Sequence, residues 1–100
     1  MNTGERILTL HPEGKKGKNI LRSNYEITRE CLLGIFTDFP EISHKDLTRL
    51  SNERLSGKME GTISWFMETV LLDLMARGVI RKISDKPVML GIQKSDTPGI

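Results

Sequence analysis

The stretch Gly61–Gln93, GTISWFMETVLLDLMARGVIRKISDKPVMLGIQ, constrains the fold more than any other part of the chain. Thr62 suits a helix N-cap, since its hydroxyl accepts a bond from an early backbone N–H that the helix leaves unpaired. Few breakers follow until Gly78, which suits the left-handed position just beyond a helix, with Arg77 in the last turn facing the carbonyl end of the helix dipole. Val79–Ile83 is rich in β-branched residues, Ser84–Pro87 carries turn chemistry and Val88–Ile92 is apolar again. A turn of about four residues favours a hairpin over a crossover.

The chain has 100 residues, enough for one domain with one modest core. Aromatic residues make up only 5%, so that core must be built mainly from Ile, Leu, Met and Val. A single cysteine, Cys31, excludes an intramolecular disulfide. There is no apolar signal region at the N-terminus and no apolar run of membrane-spanning length. The expectation is a cytoplasmic protein with no membrane contact.

Upstream, Arg6–Leu10 and Asn19–Arg22 are short extended runs that pair with each other or cover the core. Between them lies the loop His11–Lys18, with two glycines, a proline and three lysines. Ser23-x-x-Glu26 reads as a capping box opening a first helix that runs to about Phe36. Tyr25, Leu32 and Phe36 share one side of it and Ile27, Cys31 and Ile35 another, the pattern of a central helix. Gly34 sits between those sides, where it would allow close approach of a neighbour. Asp38-Phe39-Pro40 ends the helix, and Glu41-Ile42 supplies a short strand edge. Ser43 caps a second helix, with Asp46 at the capping-box position, an apolar stripe of Leu47, Leu50 and Leu55, and Gly57 as its stop.

The expected fold is therefore α+β and mainly α. It is a winged-helix-like core of three helices followed by a C-terminal two-stranded wing, the alternative being a small helical bundle with an appended hairpin. The expected organisation is a basic arm (1–22), a winged-helix-like domain (23–94) and a flexible tail (95–100).

On the third helix, a 100° advance per residue puts Ile63, Met67, Val70 and Leu74 on the core face, flanked by Phe66. The far face holds Trp65, Leu72 and Ala76 beside Thr69, with Glu68 and Asp73 as its charges. A helix that reads base edges needs Arg, Lys, Asn, Gln or small polar groups there. This face is too apolar and too acidic for that work. Trp65, Leu72 and Ala76 form a candidate interaction surface, covered either by the arm or by the same helix of a second subunit in a homodimer.

Net charge is only +2, but the cations cluster. Residues 1–22 hold five cations against two acids, and residues 77–94 hold five against one. Lys15, Lys16 and Lys18 of the arm and Arg81, Lys82 and Lys86 of the wing are candidate phosphate contacts on a nucleic acid, of the kind that positions a protein without specifying sequence. The same charges suit a solvated loop and a hairpin edge guarded against aggregation.

Other chemistry finds little support. Gly14-Lys15-Lys16-Gly17-Lys18 lacks the spacing and preceding buried strand of a phosphate-binding loop. His11, His44 and Cys31 are the only soft metal-ligand candidates and none are at helical spacing, so no metal or other cofactor is expected. Nothing in the spacing of Cys31 and the serines relative to His11 and His44 supports a nucleophile–base pair, so the chain reads as a non-enzyme.

Tyr25-Glu26-x-x-Arg29, Thr69-Val70-x-Leu72-Asp73-Leu74 on the Trp65 helix, Ala76-Arg77-Gly78-x-Ile80 and the His11-Pro12 loop together resemble a family of small uncharacterised bacterial proteins of about this length. The resemblance covers most of the chain and implies a single full-length domain, with no activity attached. Leu72–Ile83 also looks like the end of a winged-helix recognition helix entering its wing, as in many bacterial transcription regulators, a generic likeness shared by domains that bind protein.

Overall fold

A computed structural model describes residues 4–59 and 61–93, so the expected tail at 95–100 and Lys94 lie outside the described residues. The fold is α+β. In chain order the elements are β1 (Arg6–Leu8), β2 (Asn19–Leu21), α1 (Arg22–Asp38), β3 (Glu41–Ser43), α2 (His44–Leu55), α3 (Ile63–Ala76), β4 (Ile80–Asp85) and β5 (Val88–Ile92). Strands β1 and β2 form an antiparallel pair of their own, and the second sheet has the order β3-β5-β4, antiparallel throughout. No helix among the described residues is long and apolar enough to cross a membrane.

The helix boundaries follow from where the backbone donors go. Helix α1 starts one residue before Ser23, and no side chain caps it. The Arg22 N–H is already taken by the Glu5 carbonyl at 2.8 Å, which extends the β1–β2 pairing into the helix start. Glu26, free of a capping role, pairs instead with Arg22 at 3.0 Å. The capping box at Ser23 is thus replaced by a strand-to-helix hydrogen bond. Ser43 does cap α2, its hydroxyl accepting from the Asp46 N–H at 3.0 Å. Thr62 is the N-cap residue of α3 but its hydroxyl makes no cap; its carbonyl accepts from the Trp65 and Phe66 N–H groups. At the other end of α3, Gly78 has φ +79°, the Gly78 N–H donates to the Met75 carbonyl and the Val79 N–H to the Leu74 carbonyl. That crossed pair is a Schellman closure, and it turns the chain directly into β4.

The core gathers Tyr25, Leu32, Ile35 and Phe36 of α1, Ile42 of β3, Leu47 of α2, Met67, Val70, Leu71 and Leu74 of α3, Ile80 and Leu90 of the sheet, and Ile20 of β2. Two expectations for α1 need correction. On the second side Ile35 is fully buried and Cys31 is half-buried against the core, while Ile27 stays exposed, so that side is only partly covered. Gly34 admits no neighbouring backbone: a Cβ there would meet the Arg54 guanidinium at 3.7 Å, an ordinary contact.

The wing turn is tighter than the expected four residues, since Asp85 pairs with Val88 and only Lys86 and Pro87 lie between. A register shift between Lys82 and Ser84 leaves Ile83 as an extra residue on β4. Such a bulge twists the outer strand of a sheet and discourages further pairing at that edge.

Candidate nucleic-acid interface

The arm is a ribbon laid on the body. Beyond the three β1–β2 pairs, Thr9 continues the ladder: its N–H donates to the Lys18 carbonyl at 2.9 Å, and its hydroxyl accepts from the Lys18 N–H at 2.9 Å. Gly17 is required here by proximity, because a Cβ would lie 1.7 Å from the Thr9 carbonyl oxygen. Ile20 packs into the core, Thr9 is buried, and Leu8 and Leu10 remain exposed. The loop between Thr9 and Lys18 rests on α3, with Thr9–His11 and Lys16–Lys18 enclosing a small gap against Thr69 and Leu72.

What fixes the arm there is Asp73. Sequence reasoning placed this residue on the outer, charged face of the third helix; it is fully buried. One carboxylate oxygen accepts from the Leu10 backbone N–H at 2.8 Å, and the other accepts from the Tyr25 hydroxyl and from Arg77 Nε at 2.8 Å. Three donors from the arm, α1 and the end of α3 thus converge on one side chain, which is how a buried carboxylate is made tolerable. Burial, then the bond to Asp73 and its charge, push the Tyr25 hydroxyl above its usual pKa. The bond to Asp73 likewise raises the pKa of Arg77. A signal for this hub was present: a lone acid inside Leu71-Leu72-Asp73-Leu74 with Arg77 four residues on has to be exposed or specifically partnered.

The rest of the outer face of α3 divides in two. Leu72 and Ala76 are half-buried, with Leu72 under the loop, whereas Trp65 is 44% exposed and stacks edge-on against Phe66 with ring centroids 5.0 Å apart. Glu68, the other expected charge, is bound by His44 Nε2 at 2.8 Å, which ties the start of α2 to α3. Asn52 similarly reaches Ser64 at 3.2 Å.

The six candidate phosphate contacts are all exposed. Lys15 pairs with Glu13 at 3.2 Å and Lys82 with Asp85 at 2.7 Å. Lys16, Lys18, Arg81 and Lys86 have no carboxylate partner within ion-pair distance among the described residues. The Glu13 carboxyl is held below its usual range first by the hydrogen bond and charge of Lys15, then by His11, with Lys82 of the wing adding to them. Lys82 in turn is raised first by Asp85 and then by Glu13. Glu13 of the loop and Lys82 of the hairpin are thus within range of a weak mutual attraction.

The soft ligand candidates lie apart, on three elements. His11 Nδ1 accepts from the Glu13 N–H, His44 is held by Glu68, and the Cys31 thiol on α1 is raised by burial, against the lowering influence of Arg54 and Lys58. Among the described residues there is no group of three His, Cys, Asp or Glu side chains placed to hold a metal ion.

Comparison with known proteins adds one relationship. The model of a family of unknown function, DUF6958, matches residues 6–90, from the first residue of β1 into the central strand β5. The chain belongs to that family, and the matched residues take in β1, β2, the three helices and most of the β4–β5 hairpin. No curated protein and no solved structure matches it.

Proposed function

We propose that this chain, from a family without an assigned function, is a cytoplasmic winged-helix variant that binds the phosphate backbone of duplex nucleic acid through its arm loop and wing. Support for the winged-helix part is the connectivity. A strand before α2 joins the hairpin that follows α3, giving the order β3-β5-β4. Support for the binding surface is that all six cations are exposed and that four of them, Lys16, Lys18, Arg81 and Lys86, have no carboxylate partner among the described residues. Those uncommitted cations carry the reading, because backbone binding is supplied by Lys and Arg side chains free to neutralise phosphates.

Helix α3 does not read bases in this proposal. The arm loop lies over Thr69 and Leu72, Asp73 is consumed internally and Glu68 is engaged by His44. Binding is thus sequence-tolerant, and the chain acts as a binding module without catalytic machinery. The test is fluorescence anisotropy with a labelled duplex of about 20 base pairs. Affinity should fall steeply with salt, with a log–log slope near −0.9 for each phosphate neutralised. Lys16→Glu and Arg81→Glu should each flatten that slope, and base composition should matter little. Absence of binding at about 20 mM salt overturns the proposal.

A second reading has its own observation. Trp65 stays open where the arm stops, so this end of α3 would serve as a dimer or partner contact. Light scattering of the wild type against Trp65→Ser decides it: a dimer dissociated by the substitution supports this reading, and a wild type monomeric at high concentration removes the dimer.

A further inference from the structure

The loop from Leu10 to Gly17 is fastened differently from the strands that carry it. Strands β1 and β2 hold each other by their ladder, and Ile20 anchors them in the core. Past the Thr9–Lys18 pair the loop's hydrogen bonds are internal, Gly14 N–H to the His11 carbonyl and Glu13 N–H to His11 Nδ1. Among the described residues, its one hydrogen bond to the body is from the Leu10 N–H to Asp73. Beneath it is the small gap against Thr69 and Leu72 rather than close packing. Segments with few buried contacts and one tie open locally at much lower free energy than the core.

We infer that the loop Leu10–Gly17 is a lid over α3, hinged at the Thr9–Lys18 pair and latched by Asp73, and that a polyanion spanning loop and wing closes it. The latch stands on the geometry alone; the closing by polyanion rests on the binding reading above. Asp73 is a positioning residue. It touches no ligand, but it fixes where the loop lysines stand relative to the wing, because the same carboxylate holds Arg77 at the entrance to β4. A polyanion bridging Lys16 or Lys18 and Arg81 has its full set of contacts only with the lid closed. Linkage then requires that it favour the closed state by the same factor by which closure favours it.

The experiment is amide hydrogen exchange on the full chain, with and without a duplex of about 20 base pairs as the polyanion. In the wild type the Leu10 amide should be protected. Asp73→Asn keeps the shape but loses the charge on the acceptor, so Leu10 exchange should rise about tenfold or more while the β4–β5 amides keep their rates. Should Asp73→Asn fail to fold, an ester in place of the Thr9–Leu10 amide removes the N–H donor and keeps the Leu10 side chain, and the Lys18 amide should then exchange faster. Saturating duplex should slow Leu10 exchange in the wild type and not in Asp73→Asn. An unprotected Leu10 amide in the wild type, or unchanged rates in a folded Asp73→Asn, overturns the latch. A duplex that binds without slowing Leu10 overturns the coupling. A duplex that does not bind removes the coupling together with the binding proposal, and the latch is then decided by the two variants.

Discussion

The molecule carries two basic antiparallel hairpins, and they are attached by opposite means. The wing, β4–β5, is held by apolar side chains. Ile80 and Leu90 point into the core, and β5 is paired on both sides. The arm, β1–β2, contributes one fully seated apolar side chain, Ile20, and depends otherwise on Thr9, a close glycine contact and a polar hub at Asp73. Apolar burial is non-directional and tolerates small displacements; a buried carboxylate with three donors does not. The difference implies that the wing should fail only with the whole domain, while the arm can be altered on its own.

The sharpest way to break this contrast is Leu90→Ala. Removing a buried leucine side chain at the centre of the sheet should cost about 2–5 kcal/mol, seen as a lower urea midpoint with one cooperative transition. A separate wing transition would put the wing in the same class as the arm. Tyr25→Phe removes one donor to Asp73 and should cost about 1.5–3 kcal/mol. It also carries a pH signature. Because folding raises the Tyr25 pKa, its contribution is fully present below the unfolded value near 10 and is lost as pH climbs through the higher folded value. The wild type should therefore lose stability at alkaline pH by more than Tyr25→Phe does, measured by thermal melts from pH 8 to 11.

Gly17→Ala sharpens the contrast from the arm side. The new Cβ has no room beside the Thr9 carbonyl, and the ribbon must shift at a cost of about 1–3 kcal/mol. Amide exchange should accelerate at Thr9 and Lys18 and stay unchanged in the wing. The smallest effect is expected at Gly34→Ala, in the shared helix α1. With open space up to Arg54, the substitution should stabilise the chain by up to about 1 kcal/mol through helix propensity alone. A loss of stability there would point to a contact with Gly34 that the fold does not provide.

The same contrast explains what the sequence made legible. The wing was readable because its signals are local: β-branched runs, a Pro-containing turn and a glycine after an apolar helix. The short strand at Glu41-Ile42 was also visible, as was the pairing of the two runs in the arm. Asp73 was not, since helical periodicity assigns a residue to a face without saying what lies over that face. The cover came from Leu10, 63 positions away in the chain. The Ser23 capping box failed for a related reason. The pattern is local, but the Arg22 N–H, bonded to Glu5 across the ribbon, starts the helix one residue earlier, so Ser23 is inside it rather than at its cap. The clustered cations show in the sequence only as a charge pattern, which does not say how the arm loop and the hairpin stand to one another.

The strand order has a consequence for how the chain reaches this state. Strand β5 lies at the centre of its sheet yet is made last among the described elements, and Glu41 pairs with Gly91 across half the chain. During synthesis the three helices emerge before the strand that joins β3 to β4. Until Leu90 arrives, Ile42 and Ile80 have no sheet partner between them, and the nascent chain is a helical cluster with two open edges. Non-local closure of this kind slows folding and prolongs the exposure of unpaired strands. Arg81 and Lys82, the cations beside Ile83, would then matter most at that stage, guarding an edge whose partner has not yet left the ribosome.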